Sequence, residues 1–194
     1  MNTFDDFKEE FKERALRAKA RGIDTKTLYM LERFESAIAR DPNDANAYTE
    51  MGDWWYSQRD YRKALDHLET AVQLDGKFAS ALCIRASLFA TCPDAGFRDG
   101  TRAVHDAEAA ISIAGNLGEL RRDWRHRSYL RVLAASYAER GDFPPAIGTL
   151  EEALTMTITK SATRELAGDL ESYRRKQPIR AEKGIVHHNL RRGT

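Results

Sequence analysis

Apolar residues return along this chain at helical spacing, in pairs of segments separated by short breaks. From Ala45, the residues Tyr48, Met51, Gly52 and Trp55 fall at i, i+3, i+4 and i+7, which places them on one face of a helix. After a break at Arg59-Asp60, Ala64, Leu68 and Ala71 repeat the pattern. Upstream, Phe4, Phe7, Phe11 and Ala15 line one face of a segment whose other faces carry Asp6, Lys8, Glu9, Lys12 and Glu13. That is an amphipathic helix suited to packing on its neighbour. A second helix begins at a cap on Asp24 or Thr25, carries Met30, Phe34 and Ala37, and closes at Pro42. No segment alternates over a strand length, so an all-α fold is expected.

The pattern also has a long period. Met30 to Ala64, Phe34 to Leu68 and Ala37 to Ala71 are each 34 positions apart, as are Gly52 and Ala86. The stretch from Ala45 to Phe78 resembles a tetratricopeptide (TPR) unit, whose signature is W-x2-L-G-x2-Y, then A-x3-F, then P, at a period of ~34 residues. Tyr48 stands for the Trp, Met51-Gly52 for Leu-Gly, Trp55 for the Tyr and Leu68 for the Phe, with Gly76 in place of the Pro.

A third unit carries Leu82, Arg85, Ala86 and Phe89, then Ala103, Ala107 and Ala110. Its internal turn is lengthened, since Ala86 to Ala103 spans 17 positions where Gly52 to Ala64 and Ala134 to Ala146 span 12. The fourth unit gives Leu130, Leu133, Ala134 and Tyr137, then Ala146, Leu150 and Ala153. The Cys92-Pro93-Asp94 turn, Arg98-Asp99-Gly100 before Ala103-Val104, and the phrase from Tyr137 to Phe143 are similar to a bacterial TPR group. That group is often appended to or encoded with signalling proteins.

The resemblance covers roughly Thr25 to Arg180 and implies a right-handed superhelical solenoid of antiparallel helix pairs. Its expected units are about 4–44, 45–78, 79–115 and 124–160. A capping helix over 161–177 and a mobile basic tail over 181–194 complete it.

In that family the first helix of each pair lines a concave groove. In register, the groove row is Asn46, Thr49, Asp53 and Tyr56, then Ser80, Cys83 and Ser87, then Ser128, Arg131 and Ala135. The resemblance implies a scaffold holding a protein or peptide there. Thr49 and Asp53 stand where a carboxylate clamp carries Lys and Asn, which disfavours a chaperone C-terminus as ligand.

Composition narrows the alternatives. Thirty-one basic residues against 30 acidic give a formal net charge of +1, which is not the footprint of a nucleic-acid binder. The other class of reading is a regulatory or nucleic-acid-associated module using Arg121, Arg122, Arg125 and Arg127 around Trp124, together with the basic tail. Glu119 and Asp123 interrupt that positive field.

No 18-residue apolar run occurs and the first residues have no apolar leader core, so neither a membrane span nor export is expected and the cytoplasm is the expected compartment. Cys83 and Cys92 are expected as reduced, partly buried thiols. Cys92 with His105 is the nearest approach to a nucleophile and base, but no further catalytic role can be assembled around the pair. The five histidines include no H-x3-H metal pair. The expectation is a non-enzyme without cofactor or metal, with a homo-oligomer allowed.

Overall fold

The computed structural model describes residues 24–116, 124–156 and 159–181, together with Lys12, Glu13 and Leu16. The expected opening helix from Phe4 to Ala20 and the tail beyond Ala181 therefore fall outside the described residues, those three excepted. All regular structure among them is helical. It comprises α1 (Thr25–Arg40), α2 (Ala45–Ser57), α3 (Tyr61–Leu74), α4 (Ala79–Thr91), a 3-10 turn (Ala95–Phe97), α5 (Gly100–Asn116), α6 (Trp124–Arg140), α7 (Phe143–Leu154) and α8 (Lys160–Arg174).

Helix starts follow local chemistry. Free amides in a first helical turn need acceptors, and side chains supply them. The Asp24 carboxylate accepts from Thr27 N, Asp44 from Asn46 and Ala47 N, Asp60 from Lys63 N, and the Thr159 hydroxyl from Ala162 N.

Three helix ends share one device, a left-handed residue that turns the chain and satisfies the last carbonyls. At Arg59 (φ 65°), Gly141 (φ 93°) and Lys176 (φ 57°) the next amide reaches back to Trp55, Tyr137 and Ser172 O respectively. The first two of these turns fold α2 onto α3 and α6 onto α7.

Consecutive helices pack as antiparallel pairs, α2 with α3, α4 with α5 and α6 with α7, and the pairs stack through α3–α4, α5–α6 and α7–α8. Gly52 sits at the α2–α3 contact. A Cβ placed there would lie 2.8 Å from Leu68 Cγ and 3.1 Å from Ala64 O, so the repeat's small residue sets the distance between the helices.

Three apolar clusters result among the described residues. The largest is built on α4 and takes in Tyr56, Leu68, Ile84, Phe89, Ala107, Tyr129 and Val132. A second joins α6 to α8 through Leu130, Ala134, Leu150, Leu166 and Tyr173. The third holds α1 to α2 through Phe34, Met51 and Trp54.

His67 on α3 is half-buried, and this burial holds its imidazole below the ordinary 6.5. The unfolded chain therefore takes up that proton first as pH falls. The folded state loses stability through the window from 6.5 down to the lowered value and recovers it as pH rises. His67→Gln should flatten this part of the profile, read as the difference in urea midpoint between ~pH 5 and ~pH 7. An unchanged difference would assign the slope to other groups.

Candidate functional site

The ten expected groove residues divide sharply in the structure. Asn46 is exposed, Asp53, Ser80 and Arg131 are half-buried, and Thr49, Tyr56, Cys83, Ser87, Ser128 and Ala135 are buried. The expectation of one open row therefore needs correction at those six. Small side chains at Cys83, Ser87 and Ala135 let α4 and α6 pack directly against each other, and Tyr56, Cys83 and Ala135 share one apolar cluster. These positions hold first helix to first helix instead of facing a ligand.

Polar atoms inside this contact are satisfied internally. The Thr91 hydroxyl donates to Ser87 O at 2.8 Å, while the Tyr56 hydroxyl donates to Ser87 O at 3.3 Å and lies 3.1 Å from Thr91 Oγ1. Burial pushes the Tyr56 phenol well above its ordinary range and does the same to the Cys83 thiol. Neither group is available to titrate near neutrality.

Arg131, expected in the groove row, is engaged by α8. Its Nε donates to Asp169 at 2.7 Å and its Nη1 to Glu165 at 3.2 Å. Burial raises the Asp169 carboxyl, with Arg131 opposing. Tyr173, one turn on, is fully buried, and its hydroxyl has no hydrogen-bond partner among the described residues.

The lengthened turn after α4 forms a clamp. Asp94 accepts from Gly96 N, the Asp99 amide donates to Phe89 O at 3.0 Å, and the Asp99 carboxylate caps α5 through Thr101 and Arg102 N. Arg98 joins this turn to α6. Its Nη1 donates to the carbonyls of Cys92 and Pro93, and its Nε to Glu139 at the far end of α6. The ends of α4 and α6 are thereby tied by one guanidinium.

Thiol chemistry finds no support in this arrangement. Cys92 is buried and its thiol pushed up by burial, whereas His105 is 81% exposed and lies 3.3 Å from Asp106. Among the described residues no group of three or more His, Cys, Asp or Glu side chains is placed to hold a metal ion, and no helix is long and apolar enough to cross a membrane. Of the basic cluster, Arg121 and Arg122 fall outside the described residues. Arg125 and Arg127 are half-buried, with Arg127 Nη1 donating to Met156 O at 3.4 Å.

The chain after α8 supplies a feature that the periodicity gave no sign of. Lys176 redirects it, and Gln177 to Ala181 run without helix. Ile179 packs against both the central and the C-terminal apolar clusters. The Ala181 amide donates to Thr91 O at 2.9 Å, and Arg180 Nη1 lies 2.8 Å from Glu139 Oε2. A strap thus crosses the ends of α4 and α6. The only sequence signal was a single Ile between Pro178 and Arg180.

The described residues form stacked helix pairs, and apolar packing positions of the first units recur at 34-residue spacing. No family model and no curated protein matches the sequence. Among solved structures, it is similar to the N-terminal domain of stress-induced protein-1 (STI-1) from C. elegans, at 16% identity and a TM-score of 0.48, over 66% of this chain and 94% of that one. The stack offers a face of first helices α2, α4 and α6. The accessible part of that face is polar at α2 and strapped at the ends of α4 and α6.

Proposed function

We propose that this chain is a non-catalytic scaffold that binds a protein or peptide segment along the face of its first helices. One observation carries the reading. The signature residues Met51, Gly52, Leu68, Ala86, Ala134 and Leu150 are all buried in helix packing, while on the first helices Asn46 stays exposed and Asp53 and Ser80 half-buried. A stack of this kind displays an extended surface, and extended surfaces suit segments of other chains. The contact set is narrower than the full concave row, because six of its ten members lie inside the stack.

The test has two stages. Affinity capture with the intact protein isolates a partner, and calorimetric titration then compares wild type with the Asn46→Ala/Asp53→Ala chain. The double substitution should weaken the complex by at least ~1 kcal/mol with little change in melting temperature. Affinity equal to wild type would remove the α2 face from the binding site.

A further inference from the structure

We propose that the strap Pro178–Ala181 is an internal occupant of the partner-binding face, and that the partner segment displacing it carries an aliphatic residue followed by Lys or Arg. This rests on the scaffold reading above and adds what the partner looks like and how access is controlled.

The strap has the form of a bound peptide. It is non-helical, its Ala181 amide donates to the last carbonyl of α4 at Thr91, its Ile179 bridges two apolar clusters, and its Arg180 pairs with Glu139. Those are one backbone contact, one apolar seat and one charge contact, the set by which extended segments are recognised.

It is also built to leave. Glu139 is only 13% exposed, so losing a lone partner would strand its charge, but Arg98 Nε remains 3.0 Å from its other oxygen when Arg180 withdraws. A buried carboxylate that keeps one guanidinium escapes the large penalty of an unpaired buried charge. The Thr91 carbonyl, at a helix end, accepts from water when the Ala181 amide goes.

What does not solvate well is the surface under Ile179, which is apolar on both sides and calls for another aliphatic side chain.

Release has a chemical reporter. Cys92 is fully buried next to Thr91, in the electrostatic field of Arg180, while Cys83 is enclosed within the α4 packing. Opening the strap exposes the first thiol and not the second.

The experiment uses the full chain and a fluorescent peptide with the sequence of residues 176–181. In the Ile179→Asp/Arg180→Glu chain, iodoacetamide should alkylate Cys92 at least ~10-fold faster than in wild type while Cys83 stays protected. The same chain should bind the peptide at least ~10-fold more tightly than wild type, whose apparent affinity is reduced by the small fraction of open strap. Helicity by circular dichroism should be unchanged.

Equal labelling of Cys92 in a chain of unchanged helicity overturns the proposal, and so does a freed Cys92 without gain in peptide affinity. If the double substitution lowers helicity, Arg180→Ala is read by the same two assays with the same directions. No partner enters these assays. Their failure leaves the scaffold reading standing, and failure of the Asn46/Asp53 titration leaves the strap result standing.

Discussion

Gly100→Ala should lower stability by ~3 kcal/mol, at the upper end of the cost of overpacking, and the melting temperature by ~6–12 °C for a domain of this size. Gly100 opens α5 where the end of α6 passes against it. A Cβ built there would lie 2.5 Å from Arg140 N, 2.7 Å from Arg140 Cα and 2.8 Å from Glu139 C. All three atoms are backbone, so no side-chain rotation relieves the contact.

The same approach holds Glu139 within reach of Arg98 and Arg180. The substitution should therefore loosen the tie between α4 and α6 as well as the stack. Thermal melting followed by circular dichroism reads the effect. A variant melting within ~2 °C of wild type would mean that α5 and α6 do not meet at this point.

The second large effect is expected at Asp106. Its carboxylate accepts from Arg85 Nε at 2.7 Å and Nη2 at 3.0 Å, with the two side chains only 3% and 14% exposed. Removing one member of such a pair leaves the other desolvated and uncompensated, which costs ~3–5 kcal/mol, whereas replacing both by apolar residues of similar size is often nearly neutral. Asp106→Ala should therefore destabilise by ~3 kcal/mol, and Arg85→Met/Asp106→Leu by much less.

Urea denaturation of the single and double variants forms the cycle that isolates the pair. If Asp106→Ala costs under ~1 kcal/mol, the guanidinium finds water or another acceptor and the contact is peripheral.

These two sites mark the boundary of what the sequence reveals. The repeat was legible because its packing residues are local and periodic: Gly52, Ala64 and Leu68 meet across one turn, Met30 and Phe34 precede the last two by 34 positions, and Ala86 follows the first by 34. Asp24 was readable as a cap for the same reason, a short-range bond to an amide three residues ahead.

Gly100 was readable only as part of a turn, because the atoms that forbid a side chain there belong to Arg140, far along the chain. Arg98, Arg131 and Ile179 have the same character, each being defined by partners from another unit.

The groove was legible as a set of positions and not as an open surface. Register places Tyr56, Cys83, Ser87 and Ala135 on the first-helix face. How closely α4 and α6 approach decides whether that face holds ligand or core, and small residues favour close approach. Arg131 belonged to the expected groove row by register alone. Its carboxylate partners Asp169 and Glu165 lie on a helix whose placement the periodicity did not give.

The central claim is that another chain binds along the first-helix face. It is tested most directly by hydrogen–deuterium exchange of the intact protein with and without its captured partner. Slowed exchange should appear in α2 around Asn46 and Asp53 and at the ends of α4 and α6 near Thr91 and Glu139, while the amides of α7 exchange as before. Protection confined to the second helices α3, α5 and α7, with α2 and those helix ends unchanged, would contradict the account.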